Sequence, residues 1–225
     1  MVRFRFLAPL VLVAAPVLAG GSITGVVNYS GPAPKQDKID RKADPVCSKS
    51  DAFDESVLLS KDGKALQNVV LRLKNGPAGT APAGPVTVDQ DGCLYKPRVQ
   101  GAVAGQKIEI RNADATLHNV HGYQGPKTVF NQAQPPKTAP ISKAVTDPDI
   151  VKLKCDVHSW MVSYVVFSKN PYFATSGADG RFEIKDVPPG KYTVEAWHEK
   201  LGTKTAEVTV EEGKAADLPV AFAAN

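Results

Sequence analysis

The sequence predicts an all-β fold, because three features favour strands over helices. Eighteen glycines and 18 prolines punctuate the 225 residues. No apolar run keeps the 3.6-residue period of a long helix. Short runs instead alternate apolar and polar residues, as strands with one buried face do. These runs are residues 23–27, 69–73, 107–111, 151–154, 182–184 and 192–196. We therefore predict antiparallel β-sandwich architecture, with at most a short helix in residues 37–50.

The N-terminus has the features of a secretory signal peptide. Arg3 and Arg5 precede an apolar run from Phe6 to Leu18, which is followed by a small residue typical of a cleavage site. The run is shorter than the roughly 20 apolar residues that span a bilayer, and prolines interrupt it. We therefore predict that residues 1–19 are removed and that the mature protein is periplasmic or otherwise exported, with no membrane span.

The charge balance argues against a nucleic-acid partner. The chain has 27 basic and 23 acidic residues, a formal net charge of +4. The basic residues are interspersed with acidic ones and form no cluster that could follow a phosphate backbone. Nucleic acid is therefore not expected to bind.

A predicted hairpin lies near the C-terminus. Asp179-Gly180 begins a strand, and Pro188-Pro189-Gly190 supplies the turn into a second strand over residues 192–196. This segment resembles the carboxypeptidase regulatory-like, or transthyretin-like, β-sandwich module. In that family the hairpin comes late, after strands similar to residues 21–27 and 68–73.

The resemblance implies a discontinuous domain, because a long stretch separates the early strands from the hairpin. We predict one sandwich from residues 20–83 and 169–225. Residues 84–168 would form a second, inserted β-domain of ordinary size for a small domain. A tandem arrangement is the alternative.

Residues 155–161 carry a set of soft metal ligands. Cys155, His158 and Met161 offer a thiolate, an imidazole and a thioether, the donor types that select copper over hard cations. The two-residue period of a strand places Cys155 on the same inward face as Val151 and Leu153. The missing donor is a second imidazole, which His118 or His121 can provide.

These motifs resemble those of the cupredoxins, the blue copper proteins that include amicyanin and plastocyanin. Residues 118–120 read His-Asn-Val, a frequent context for their first ligand, and residues 155–161 have the Cys-x-x-His-x-x-Met spacing of their shortest ligand loops. The resemblance implies a Greek-key sandwich with one mononuclear type 1 copper site. The implied ligands are His118, Cys155, His158 and Met161.

Two neighbours of these ligands require an interpretation. The resemblance implies that Asn119 ties the first ligand strand to the copper loop, as an outer partner that orients a ligand. His121 is the rival of His118. Residues three apart on a strand point to opposite faces, so both rings cannot easily reach one metal, and the His-Asn-Val match favours His118. His198 has no predicted role and is interpreted as a packed or surface histidine.

The resemblance also implies a function. We expect one-electron transfer with a redox partner protein such as a cytochrome c or a dehydrogenase, and no enzymatic activity. His158 would reach the surface as the electron port, within an apolar patch formed by Val157 and Trp160. The alternatives are a copper storage or delivery module, and a metal-free structural or adhesion sandwich.

Three cysteines in an oxidising compartment leave one thiol unpaired. The alternative to a metal-binding Cys155 is a disulfide that includes it and leaves Cys47 or Cys93 free. Of the three possible pairings we favour Cys47–Cys93, which would link the inserted domain to its host.

Overall fold

The computed structural model describes residues 19–224, so the predicted signal peptide lies outside the described residues apart from Ala19. Within this range the secondary structure consists of strands and one short 3₁₀ helix, Cys47–Lys49. The predicted all-β class is confirmed. The strands are β1 (Gly21–Ser30), β2 (Val70–Leu73), β3 (Val86–Gln90), β4 (Tyr95–Lys96), β5 (Val99–Val103), β6 (Lys107–Asn112), β7 (His118–Gln124), β8 (Lys127–Gln134), β9 (Ile141–Ala144), β10 (Ile150–Lys154), β11 (Val162–Ser168), β12 (Phe173–Thr175), β13 (Arg181–Val187), β14 (Gly190–His198), β15 (Gly202–Val210), β16 (Ala215–Asp217) and β17 (Val220–Ala223).

One sandwich, which we name the outer sandwich, combines strands from both ends of the chain. Its first sheet has the order β13-β1-β16, and β17 also pairs with β1. Its second sheet has the order β12-β2-β14-β15. The two sheets enclose a core in which Ile23, Leu71, Ile184, Val194 and Phe222 are at most 1% exposed. The apolar side chains of the strands predicted from alternation therefore face one shared core.

The other sandwich, which we name the inner sandwich, is built entirely from β3–β11. One sheet has the order β5-β11-β10-β7-β8, and the other has the order β4-β3-β6-β9. Val88, Ile108, Leu153, Val165 and Phe167 are fully buried between them. The chain thus leaves the outer sandwich after β2 and returns to it at β12.

The two sandwiches contact each other through a small apolar cluster and an ion pair. Val70 of β2 packs with Val99 of β5 and Val166 of β11. Beside this cluster, the Arg98 guanidinium pairs with the Glu199 carboxylate at 2.5 Å, and both side chains are largely buried. The contact holds the outward face of the β5–β11 sheet against the sheet that contains β2.

The predicted C-terminal hairpin is wrong, although both of its strands are present. β13 pairs with β1, whereas β14 pairs with β2 and β15 in the facing sheet. Pro188 and Pro189 lie between the strands, and proline has no N–H with which to extend a strand ladder. The chain therefore crosses from one sheet to the other, so that the apolar faces of both strands meet in the core.

Among the described residues, 19–224, the structure contains no helix that could span a lipid bilayer.

His198 is a packed histidine of the outer sandwich. Its side chain is 1% exposed, and Nδ1 accepts hydrogen bonds from the backbone N–H groups of Lys200 and Leu201 at 3.2 and 3.3 Å. Burial, together with the positive charge of Arg98, lowers the pKa of His198 to about 4. The imidazole is therefore neutral in the folded protein at neutral pH.

Acidification should destabilise the fold through His198. An unfolded histidine binds a proton near pH ~6.5, whereas the folded His198 has a pKa of about 4. The stability that it contributes is therefore present above pH ~6.5 and is lost as the pH falls toward the folded pKa, by at most ~1.4 kcal/mol per pH unit. Urea unfolding across this range should show a smaller loss for His198→Gln than for the wild type. Equal losses in both proteins would contradict this assignment.

Candidate metal centre

The pairing of β7 with β10 brings the predicted site together. These strands are antiparallel, with Lys154 opposite His121 and Leu153 opposite Gly122. Cys155 follows directly on β10, and its side chain is fully buried on the same face as Val151 and Leu153. His118 begins β7 and is also fully buried. The start of one strand and the end of its neighbour therefore place the two side chains side by side.

Three donor atoms converge in the core. The Nδ1 atoms of His118 and His158 lie 2.9 Å apart. The Cys155 Sγ atom lies 4.0 Å from the first and 3.8 Å from the second. His118 and Cys155 are fully buried, and His158 is 3% exposed. The side chains can therefore turn one thiolate and two imidazoles toward a single ion.

Met161 ends the loop that contains Cys155 and His158, and backbone hydrogen bonds join it to both residues. The Met161 N–H donates to the His158 carbonyl at 2.9 Å, and the Cys155 N–H donates to the Met161 carbonyl at 3.2 Å. These two bonds close residues 155–161 into a tight turn between β10 and β11. The Met161 side chain is fully buried in the same core as Cys155. The turn thus holds all three residues of the predicted loop at one end of the inner sandwich.

A carboxylate contacts the far nitrogen of each imidazole. The Oδ2 atom of Asp114 lies 2.9 Å from Nε2 of His118, and the Oδ2 atom of Asp44 lies 3.0 Å from Nε2 of His158. A carboxylate only accepts hydrogen bonds, so Nε2 carries the hydrogen in both rings. Both Nδ1 atoms therefore face Cys155, whereas both Nε2 atoms face an acidic side chain.

The ionisation of Cys155 and His118 is coupled. Burial lowers the pKa of His118, but hydrogen bonds to Asp114 and Cys155 outweigh it and raise the pKa to about 9. Burial raises the pKa of the Cys155 thiol, but hydrogen bonds from His118 and from the Asn119 backbone outweigh it and lower the pKa. The site thus favours the thiolate, which is the form that binds metals.

The predicted exposure of His158 is wrong. Its imidazole is 3% exposed, because residues 39–52, which we name the covering segment, lie over it. Asp44 of this segment contacts the ring, and Arg41 donates to the carbonyls of Gly92 and Ser50. Sequence reasoning missed this cover, because the segment precedes the inner sandwich in the chain. Val157, by contrast, is 53% exposed, as expected for a loop tip.

Trp160 is half-buried and lies against the covered imidazole. Its ring centroid is 5.1 Å from that of His158, and its indole N–H donates to the Cys93 carbonyl at 3.0 Å. The ring also lines a surface cavity of about 370 Å³ between the sandwiches, together with Phe53. Trp160 therefore connects the surroundings of His158 with solvent-accessible surface.

Asn119 joins β7 to the Cys155 loop. Its backbone N–H lies 3.5 Å from the Cys155 sulfur. Its side chain accepts from the Asp156 N–H at 2.5 Å and donates to the Asp156 carboxylate at 2.9 Å. The amide also donates to Asn131 of β8 at 2.8 Å. Asn119 thus bridges two strands and the loop that contains Cys155 and His158.

His121 lies outside the cluster of converging donors. Its Nδ1 atom contacts the Asp156 carboxylate at 2.9 Å, its Nε2 atom contacts the Thr128 hydroxyl at 2.9 Å, and its ring stacks on Tyr123 with centroids 4.0 Å apart. The side chain is partly exposed, whereas that of His118 is fully buried. The two histidines thus occupy opposite sides of β7.

A disulfide joins Cys47 of the covering segment to Cys93 of the inner sandwich, and the Cys155 thiol is free. Both half-cystines are 1% exposed. The Sγ atom of Cys47 lies 3.7 Å from Nε2 of His158. The covalent link therefore fixes the covering segment directly beside one of the imidazoles.

Sequence reasoning also missed both carboxylates. Asp114 lies four residues before His118, so the sequence did contain a local signal for this partner, an acidic residue close to a candidate ligand. Asp44 is separated from His158 by 114 positions in the sequence, and no local motif connects them. Only the folded chain identifies Asp44 as a partner of the site.

Comparisons with known proteins find one family match and several similar solved structures. Residues 163–223, about a quarter of the chain, match the carboxypeptidase regulatory-like domain. No curated protein sequence matches the chain. The family match therefore lies in the C-terminal part of the chain, where the sequence predicts a carboxypeptidase regulatory-like sandwich.

Similar solved structures include cupredoxins. A purple cupredoxin from Nitrosopumilus maritimus shares 18% identity, covers 37% of this chain and 99% of its own, and has a TM-score of 0.33. Amicyanin from Paracoccus versutus shares 17% identity over 44% of this chain and 97% of its own, with a TM-score of 0.35. A copper-containing nitrite reductase from Thermus scotoductus SA-01 shares 20% identity over 43% of this chain but only 25% of its own, with a TM-score of 0.35.

The Asn119→Ala variant should loosen the Cys155 loop. It removes the acceptor of the Asp156 N–H and two donors of a partly buried network, and a lost hydrogen bond of this kind costs about 0.5–1.5 kcal/mol. Urea unfolding should show a loss in this range, and hydrogen exchange at the Asp156 amide should become faster. Asn131→Ala is the matched control, since it removes one partner of Asn119 and one donor to the Asp156 carboxylate but keeps both contacts between Asn119 and Asp156. Equal effects of the two variants would contradict a bridging role for Asn119.

Proposed function

We propose that this chain is an exported type 1 copper protein that transfers single electrons. The convergence of Cys155, His118 and His158 in a buried cluster is the observation that carries the proposal. The proposed copper-binding unit is residues 84–168, inserted between the two parts of a carboxypeptidase regulatory-like sandwich, residues 20–83 and 169–225.

The donor set fits copper. One thiolate and two imidazoles are the equatorial donors of mononuclear blue copper sites, and a thioether is their usual weak axial ligand. We assign the equatorial positions to His118, Cys155 and His158 and the axial position to Met161. Copper held by these donors would supply one-electron redox chemistry. His121 is not assigned, because its nitrogens contact Asp156 and Thr128 instead.

The protein surroundings favour electron transfer over catalysis. The donor side chains are at most 3% exposed, so water has little access to them. Asn119 and the closed turn of residues 155–161 hold the donors in place, which limits rearrangement when the charge of a bound ion changes. A buried, fully ligated ion has no open position for a substrate. We therefore propose an electron carrier rather than an enzyme.

The half-buried ring of Trp160 is our candidate for the route to a redox partner. It lies 5.1 Å from the His158 ring and reaches the cavity between the sandwiches. His158 itself is covered and offers no exposed edge of its own. The proposed partner is a redox protein such as a cytochrome c or a dehydrogenase. Export to an oxidising compartment such as the periplasm is supported by the disulfide, which such compartments maintain.

Copper loading should give the spectrum of a thiolate-bound Cu(II) ion. We expect an intense visible band and narrow copper hyperfine splitting in EPR, since Cys155 would share electron density with the metal. The Cys155→Ala and His118→Ala variants should lose this spectrum. His121→Ala is the matched control, because it removes an imidazole from the same strand, and it should keep the band.

Two outcomes would contradict the proposed function, and a third would contradict the ligand assignment. A protein that binds no copper would favour a structural or adhesion role. Colourless, readily exchanged copper would favour storage or delivery. Loss of the band in His121→Ala, with retention in His118→Ala, would transfer the ligand role to the rival histidine.

A further inference from the structure

Both proposed histidine ligands are oriented by acidic side chains. Asp114 contacts Nε2 of His118 at 2.9 Å, and Asp44 contacts Nε2 of His158 at 3.0 Å. Each contact requires a hydrogen on Nε2, which leaves the Nδ1 lone pair of a neutral ring available for a metal. The carboxylates thus select the tautomer and the direction of each ring.

The carboxylates are themselves held by backbone groups next to the disulfide. Asp44 accepts hydrogen bonds from the N–H groups of Val46 and Cys47 at 2.7 and 3.0 Å. Asp114 accepts from the N–H groups of Gly92 and Cys93, both at 2.8 Å. Each half-cystine therefore donates to the carboxylate that contacts one imidazole.

Thr116 adds a second connection between the covering segment and the inner sandwich. Its hydroxyl donates to Oδ2 of Asp44 at 2.8 Å, although Thr116 belongs to the loop that precedes β7. The side chain of Asp44 is therefore held from the covering segment and from the inner sandwich at the same time. A surface ion pair would have no such set of partners.

We propose that Asp44 and Asp114 are positioning residues for the copper ligands, and that the Cys47–Cys93 disulfide joins them into one frame. This inference rests on the proposed function. Its consequence is that the site is incomplete without the covering segment, since that segment supplies Asp44 and one half-cystine. A carboxylate on Nε2 also makes an imidazole a stronger donor, which favours Cu(II) over Cu(I).

The full-length Asp44→Asn variant tests this role, because it removes the charge and keeps the shape. Loss of an outer partner of a metal-bound histidine typically costs about 10–100-fold in metal affinity. We expect at least a tenfold loss in Cu(II) affinity by chelator competition, and a smaller loss for Cu(I). A tenfold difference between the two losses raises the reduction potential by about 59 mV. Asp51→Asn, an exposed carboxylate of the same segment paired with Lys38, is the control and should match the wild type.

The double variant Cys47→Ala and Cys93→Ala tests the frame. It removes the covalent link between the segments that hold the two carboxylates, so its loss of Cu(II) affinity should exceed that of Asp44→Asn. Wild-type affinity and potential in Asp44→Asn would overturn the positioning role. A double variant that remains folded and binds copper like the wild type would overturn the role of the disulfide.

Nitrogen-15 NMR of the copper-free protein separates failure of this inference from failure of the proposed function. In the wild type, His158 should carry its hydrogen on Nε2. In Asp44→Ala this preference should be lost at His158, whereas Nε2 of His118 should stay protonated against Asp114. An unchanged His158 tautomer in Asp44→Ala would overturn the inference, even if the wild type binds copper. A wild type that fails to bind copper would instead overturn the proposed function.

Discussion

The need to satisfy buried polar atoms governs the arrangement around Cys155. An imidazole that is turned toward the core must place its other nitrogen against a hydrogen-bond acceptor, because a buried unpaired N–H is costly. Asp44 and Asp114 supply these acceptors. Their negative charges in turn require donors, which the backbone of both half-cystines provides. These hydrogen bonds therefore connect the buried imidazoles to the covering segment and to the two half-cystines.

Through these contacts, the candidate metal centre of the inner sandwich depends on a segment that belongs to the outer sandwich. The connection between β1 and β2 contains the covering segment, so a part of the outer sandwich closes the end of the inner one. The disulfide fixes the segment at one side, and the Arg98–Glu199 pair with its apolar cluster fixes the sandwiches at another. Burial of His158 follows from this arrangement. The covering segment excludes water from an imidazole that its own loop would leave at the surface.

The strands were predictable because their signal is local. Alternation over residues 107–111 and 151–154 reports which side chains face a core, and the structure has β6 and β10 there. Strand partners are not a local property. The turn residues Pro188-Pro189-Gly190 predicted a hairpin, but the facing sheets share one core, and either arrangement satisfies the same alternation. The prediction of an exposed His158 failed for a related reason, since it considered only the loop that carries the residue.

The sequence by itself determined the all-β class and the close grouping of Cys155, His158 and Met161, because a short loop between strands keeps such neighbours together in any fold. It also determined that His118 and His121 lie on opposite faces of a strand. Only the tertiary structure decided which ring lies beside the thiol, and which segment covers His158. Those contacts join positions as far as 114 residues apart, and they depend on strand register, on a disulfide and on the packing of two sandwiches.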